Sequence, residues 1–65
     1  MNIENFLKEN KLRVTKGRIN ILEVLSGNKD AVTAEYIYHK LKEKDINIDL
    51  STVYRNLEIF NKEGI

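Results

Sequence analysis

The chain has 65 residues, no cysteine, no proline and a formal net charge of +1 at pH 7. A chain of this length forms one small domain, which buries only about 60% of the surface of the unfolded chain. Without cysteine, neither a disulfide nor a thiolate metal site can supplement its core. No apolar run approaches the roughly 18 residues of a membrane span, and the first residues do not have the pattern of a signal peptide. We therefore expect a soluble, cytoplasmic protein with no membrane partner.

Positive charge is concentrated in one early segment. Its basic residues are interrupted by one acid, Glu9, whereas residues 30–49 mix both signs; the basic residues are Lys8, Lys11, Arg13, Lys16 and Arg18. A local basic patch on a nearly neutral domain suits modest, salt-sensitive binding of phosphates. Charge that is simply solvated, without a partner, is a common alternative.

Two helices are predicted in the first half of the chain. Asn2 can cap a short helix over residues 3 to about 9, whose apolar side chains face inward, and Asn10 can end it in the left-handed conformation. Thr15 is a candidate N-cap for a second helix that runs to about residue 26. The apolar arc of this second helix is wide, so we expect it to be the most buried element.

A third helix is predicted after the turn at residues 27–30, capped by Thr33 and running from 34 to about 44. Its apolar residues recur at the spacing of one helical face: Ala34, Ile37, Tyr38 and Leu41. Residues 45–50 then change period, because isoleucine and leucine alternate with polar residues. That alternation predicts an extended segment containing at most one short strand.

The last predicted helix covers residues 51 to about 62. Val53, Leu57 and Phe60 form its apolar stripe at i, i+4 and i+7. Asp49 or Ser51 can cap its start, and Gly64 can end it, with Ile65 making the apolar contact that often follows. The predicted fold class is therefore all-α, with four short helices. The third and fourth have the layout of a helix-turn-helix with a longer than minimal turn.

An enzyme is not expected from this sequence. His39 is the only histidine and has no cysteine or nearby histidine partner, so it is interpreted as a surface residue. The carboxylates show no acid–base or metal-ligand spacing. There is also no glycine-rich phosphate loop and no pairing of a nucleophile with a base.

Several segments resemble the N-terminal DNA-binding domain of the ferric uptake regulator family. They occur in one order and span nearly the whole chain: Leu12-Arg-Val-Thr-Lys-Gly-Arg18, Ile21-Leu-Glu-Val-Leu25, Thr33-Ala-Glu-Tyr-Ile-Tyr38, Ser51-Thr-Val-Tyr-Arg-Asn-Leu57, Phe60 and Glu63-Gly-Ile65. Thr-Val-Tyr-Arg is the most specific part, and Thr15-x-x-Arg18 is a second, independent match.

The resemblance implies a winged-helix domain and a second domain that dimerises and binds a divalent metal such as iron, zinc or manganese. The sequence stops where the strands of the wing would begin. We therefore expect residues 1–65 to be a fragment of a metal-responsive repressor, without its wing or its dimerisation and metal domain. Many members have a metal-binding histidine just before the third helix. In this sequence that position has Asp30-Ala31-Val32, so no cofactor is expected in this fragment.

The predicted partner is an operator in double-stranded DNA. On the helix-turn-helix interpretation, the fourth helix enters the major groove. Both the residues and the resemblance point to Tyr54 and Arg55; the complete candidate set is Arg13, Lys16, Arg18, Ser51, Thr52, Tyr54 and Arg55.

Several of these residues also have an alternative role. Arg18 shares the apolar face of its helix, so an internal salt bridge competes with a DNA contact. A role in capping the start of the fourth helix explains the presence of Ser51 and Thr52 equally well. Tyr54 can instead pack half-buried on the third helix, and Arg55 can pair with Asp49 or Glu58. The alternative function is a helical protein-interaction module, without affinity for DNA, that docks a partner through Tyr54 and Ile59.

Overall fold

Four α-helices make up most of the computed structural model, which describes residues 2–28 and 30–63. They are α1 (Ile3–Glu9), α2 (Lys16–Ser26), α3 (Ala34–Glu43) and α4 (Leu50–Lys62). Within the described residues every regular element is helical, which confirms the predicted all-α class. The expected stop at Gly64 and the contact of Ile65 lie outside the described residues.

Polar caps start the first three helices. The side chains of Asn2, Thr15 and Thr33 each accept a hydrogen bond from the backbone N–H three residues further on, as predicted. The fourth helix starts differently. Asp49 occupies its cap position without a side-chain capping bond, and Ser51 lies inside the helix. The predicted side-chain cap of α4 is therefore wrong, and α4 begins one residue earlier than expected.

Two left-handed residues end α1 and α3. Lys11 and Asp45 both have φ of 59°. The residue after each, Leu12 or Ile46, returns its N–H to the carbonyl five residues earlier, at 2.8 and 2.9 Å. This bond defines a Schellman motif, which satisfies a free carbonyl at the helix end. Asn10 itself has φ of −92°, so the prediction that it is the left-handed residue is wrong by one position.

Residues 46–49 cross from α3 to α4 without regular structure. Ile46 and Ile48 are half-buried and pack against the core, which explains the alternating pattern. The predicted segment of 45–50 is shorter in the structure, because Asp45 is left-handed and Leu50 begins α4, and within the described residues it forms no strand.

One apolar core joins the four helices. The extensive helix–helix contacts are those of α1 with α2, α2 with α3 and α3 with α4. The buried apolar side chains are Leu7, Ile21, Leu22, Val24, Ala34, Ile37, Leu41, Val53 and Phe60. Leu57 is only half-buried, and Asn56 occupies the place in the buried stripe of α4 that was expected for Leu57. The face of α4 that packs inward is therefore rotated from the one that apolar spacing predicts.

Candidate nucleic-acid interface

The outer face of α4 carries three of the predicted residues. Ser51, Tyr54 and Arg55 are exposed, whereas Val53 and Phe60 on the opposite face are buried. Helical geometry explains the separation, because neighbouring residues in a helix are about 100° apart. The helix therefore packs on α3 with one face and presents a hydroxyl, a phenol and a guanidinium on the other.

Tyr54 is fixed by a residue of α3. Its hydroxyl donates a 2.8 Å hydrogen bond to Glu35 Oε2, while 45% of the residue remains exposed. The predicted alternative, half-buried packing on α3, is not formed: Tyr54 contacts α3 through a hydrogen bond at the tip of its ring, and the residue stays exposed. Sequence reasoning missed Glu35, because a single exposed carboxylate in the first turn of a helix has no distinctive signal.

The same hydrogen bond shifts both pKa values in opposite directions. Donation from the Tyr54 hydroxyl lowers the pKa of the Glu35 carboxyl below its ordinary 4.5. Acceptance by Glu35 raises the pKa of the Tyr54 phenol above its ordinary 10.0. At neutral pH the pair therefore consists of a carboxylate and a neutral phenol, which is the combination that the hydrogen bond requires.

The linkage gives this pair a pH window. Because the pKa of the Glu35 carboxyl is lower in the folded than in the unfolded chain, the carboxylate stabilises the fold at pH values above its unfolded pKa. This stabilisation is lost as the pH falls through the folded pKa. Because the pKa of the Tyr54 phenol is higher in the folded than in the unfolded chain, the neutral phenol stabilises the fold at pH values below its unfolded pKa. This stabilisation is lost as the pH rises through the folded pKa. The contact therefore contributes between the acid range, below about 4.5, and the alkaline range, above about 10.0.

We expect Tyr54→Phe to raise the pKa of Glu35 toward its ordinary value, because the substitution removes the donor and keeps the ring. The measurement is a carboxyl-carbon NMR titration of Glu35. Tyr36→Phe is the matched control, since its hydroxyl bonds Asn28 and not Glu35. An unchanged Glu35 midpoint in Tyr54→Phe would show that the contact is not formed in solution.

Arg55 has no internal partner in the part of the chain that the structure describes. Its side chain forms neither of the predicted ion pairs, with Asp49 or with Glu58; the salt bridge found among residues 2–28 and 30–63 joins Lys40 to Glu43. A guanidinium has five N–H donors. Those of Arg55 are therefore available to an external acceptor.

A groove joins the start of α2 to the start of α4. It measures about 450 Å³ and is lined by Lys16, Gly17, Asn20, residues 46–49 and Thr52. Lys16 is exposed and Thr52 half-buried, so the structure brings these two predicted residues to the same groove. Lys16 and Gly17 of this groove lie in the first turn of α2, and the start of a helix favours anions in general.

Arg18 and Arg13 meet on the other side of the first turn of α2. Arg18 Nη1 donates to the backbone oxygen of Arg13 at 3.0 Å, and Arg18 Nε donates to Asn56 Oδ1 at 3.0 Å. The predicted internal contact of Arg18 therefore exists, but both acceptors are neutral oxygens, so it is not a salt bridge. The side chain of Arg13 stays exposed.

Asn56 is the second residue that sequence reasoning missed. It is 8% exposed, and the position lies within reach of the apolar stripe, at i+3 from Val53. The available signal was Arg18, whose placement on the apolar face of α2 called for a polar partner.

The described residues do not offer a metal site. His39 is exposed, as predicted, and its ring meets Tyr38 edge-on at 5.5 Å. Residues 2–28 and 30–63 contain no group of three or more His, Cys, Asp or Glu side chains that could hold a metal ion.

Comparison with known proteins shows the family to which this chain belongs. The model of the ferric uptake regulator family matches residues 9–65. The chain belongs to the ferric uptake regulator family. All of the segments that carry the resemblance lie in this range, and so does the whole of α4. The candidate interface therefore falls within the region that is matched to the ferric uptake regulator family.

Curated relatives agree with the assignment to the ferric uptake regulator family. The chain is 41% identical over 59 residues to the peroxide operon regulator of Bacillus subtilis, covering 91% of this chain and 41% of that protein. It is 36% identical to the ferric uptake regulation protein of Staphylococcus aureus, covering 91% of this chain and 43% of the relative. For the Rhizobium leguminosarum protein of the same name, the identity is 32% and the coverages are 97% and 44%. No solved structure gave a significant match.

The chain thus spans less than half the length of these ferric uptake regulator relatives. Proteins of this family are transcriptional regulators and not enzymes, which confirms the expectation that the chain is not an enzyme. None of the helices in the described residues has the length and apolarity needed to cross a lipid bilayer.

Proposed function

We propose that this chain is the DNA-binding domain of a metal-responsive transcriptional repressor and that α4 lies in the operator major groove. The observation that carries the proposal is the exposed Arg55 on the outer face of a helix whose opposite face is buried. B-DNA's major groove is wide enough for such a helix. Family membership supports the same assignment.

The four candidate residues of α4 each have a role in this proposal. Arg55 forks onto a guanine or a phosphate, and Tyr54 packs its ring on a thymine methyl while its hydroxyl stays bonded to Glu35. A bond from Tyr54 to a phosphate would require its single hydroxyl proton to leave Glu35. Ser51 and Thr52, in the first turn, donate to phosphate. Glu58 is exposed and repels phosphates, so it suits a cytosine amino group or a place outside the contact.

The start of α2 supplies the sequence-independent part of binding. Arg13 and Lys16 are exposed, and Lys16 shares its groove with Thr52 of α4. Contacts to phosphate fix the orientation of a protein on the duplex and carry no sequence information directly. Three N–H bonds of the Arg18 guanidinium, two on Nη2 and one on Nη1, have no partner among the hydrogen bonds found in the described residues, since Nε and the other N–H of Nη1 are engaged internally.

A longer protein would complete the regulator. In that proposal a wing follows the described helices, and a further domain forms a homodimer and binds iron, zinc or manganese in the cytoplasm. The described residues do not fit a metal site, so a metal has no assigned part in the DNA contact itself. One curated relative is named for a peroxide operon and another for ferric uptake, so both signals are candidates for the regulator that contains this domain.

The competing function, a protein-docking module, depends on Tyr54 and Ile59. Ile59 is half-buried and packs against the core, so the apolar patch available to a partner is small. The deciding experiment is a fluorescence anisotropy titration of the chain on a random-sequence duplex over a series of salt concentrations. A DNA-binding domain binds weakly and loses affinity steeply as salt rises, whereas a docking module shows no affinity for the duplex.

We expect Lys16→Ala to lower affinity for all duplexes alike and to reduce the salt slope by about one unit. One released counterion accounts for this change, because Lys16 is assigned to a phosphate. Lys40→Ala is the matched control: it also removes one positive charge, but Lys40 lies near Gly27 and Asn28, by the opposite end of α2. An equal reduction of the slope in both variants would show that net charge, and not the groove, controls binding.

A further inference from the structure

We infer that Asn56, together with Arg18, is a positioning residue that fixes α4 relative to the basic start of α2 and thereby sets DNA selectivity. The inference rests on the proposed function. It assigns Asn56 no contact with DNA. Its effect is exerted through the place and rotation of the helix that carries Tyr54 and Arg55.

The first observation is that the side chain of Asn56 is buried and that both of its polar atoms are hydrogen-bonded. It is the buried polar side chain among the described residues, 8% exposed. Its Oδ1 accepts from Arg18 Nε at 3.0 Å, and its Nδ2 donates to the backbone oxygen of Thr52 at 2.9 Å. Since one side of the amide is fixed on its own helix, the other side points at Arg18 in a defined direction.

The second observation is that Arg18 joins three segments. Its backbone N–H is capped by Thr15, its Nε reaches α4, and its Nη1 reaches the backbone oxygen of Arg13 at 3.0 Å. The guanidinium is planar, so the directions of its N–H bonds are fixed relative to one another. The backbone that carries Arg13 and the helix that carries Arg55 are therefore tied to the same rigid group.

The third observation is that the close backbone approaches of α4 are mainly to α3 and not to α2. The extensive contacts of α4 are with α3, and those of α2 are with α1 and α3. An apolar residue at 56 would be buried equally well but would define no direction, because apolar burial is non-directional. The hydrogen bonds supply that direction, and DNA contacts lose strength when a helix is displaced by a fraction of an ångström to an ångström.

A direct phosphate contact by Arg18 is the competing explanation, and the two predict different patterns. A positioning pair acts as one unit, so the losses from removing either partner are not additive. A direct phosphate contact of Arg18 does not depend on Asn56 and carries no sequence information, so its loss would weaken binding to every duplex alike and any losses from the two residues would add. Lysine at position 18 would retain charge for a phosphate but cannot reproduce the two directed bonds.

The experiment compares Asn56→Leu, Arg18→Met and the double variant in the 65-residue chain. The probes are a duplex selected by the unmodified chain from a randomised library and a scrambled duplex of the same length. The readout is the ratio of the two affinities, measured where circular dichroism shows each variant to be folded. A partial loss of folding lowers both affinities together and leaves the ratio unchanged.

We expect each single variant to lower this ratio about tenfold, within the range of coupling between contacting side chains, and the double variant to lose no more. Arg18→Lys should behave as Arg18→Met does. If leucine prevents folding, Asn56→Ala gives the same comparison.

An unchanged ratio in Asn56→Leu, additive losses, or full rescue by Arg18→Lys would each overturn the inference while leaving the proposed function intact. If the unmodified chain selected no duplex and bound none, the proposed function would fail, and the inference would fail with it. DNA binding by the unmodified chain therefore distinguishes a failure of the proposed function from a failure of the inference alone.

Discussion

Arg55→Ala is expected to weaken binding to the selected duplex by about 1–3 kcal/mol, or about 5- to 150-fold, and to relax preference at one base position. The reason is the placement of Arg55 on the exposed face of α4 without an internal partner in the described residues. Because the side chain supports nothing inside the protein, its removal should leave the free energy of unfolding nearly unchanged.

The measurement is an anisotropy titration of the variant on the selected duplex and on single-base variants of it. Arg55→Lys separates two modes of contact, since lysine retains the charge for a phosphate but loses the bidentate fork for guanine. Lys62→Ala is the control on the same helix: it removes an exposed positive charge near the C-terminal end of α4. It should affect affinity weakly and leave base preference unchanged.

Equal binding by Arg55→Ala and the unmodified chain would mean that α4 does not read DNA. The protein-docking alternative would then lead. A loss of affinity without any change in base preference would instead assign Arg55 to a phosphate, and selectivity would have to come from Tyr54 or from the shape of the duplex.

The helices were predictable because their signals are local. Thr15 and Thr33 precede periodic apolar runs, and their hydroxyls cap the N–H groups three residues on, so each start is encoded in a few adjacent residues. The helix ends were harder. Lys11 is left-handed although Asn10 is intrinsically the better candidate, because Leu12 must turn back to the core.

The rotation of α4 was not predictable from α4 alone. Positions 53, 56 and 60 and positions 53, 57 and 60 are both compatible with one helical face, and apolar spacing favours Leu57 over Asn56. The choice depends on Arg18, which lies 38 residues away in sequence and needs a polar acceptor at its Nε. The exposed residues Tyr54 and Arg55 were nevertheless placed correctly, since either rotation leaves them outside.

Phe60→Ala is expected to lower the free energy of unfolding by about 3–5 kcal/mol. The side chain of Phe60 is 2% exposed and belongs to the group of the largest fully buried side chains in the core. A 65-residue domain has a total stability of roughly 3–10 kcal/mol at 0.05–0.15 kcal/mol per residue. The substitution should therefore remove about a third or more of the stability, which urea titration followed by circular dichroism would show as an unfolding midpoint at lower urea.

Leu57→Ala is the matched comparison, because it removes an apolar side chain from the same helix at a half-buried position. We expect it to cost about 1 kcal/mol, half the transfer free energy of a fully buried leucine. The difference between the two variants measures which face of α4 packs inward. Equal costs would indicate that α4 packs through 53, 57 and 60. In that case Asn56 would turn toward solvent, its bond to Arg18 would break, and the positioning role inferred for the pair would be lost.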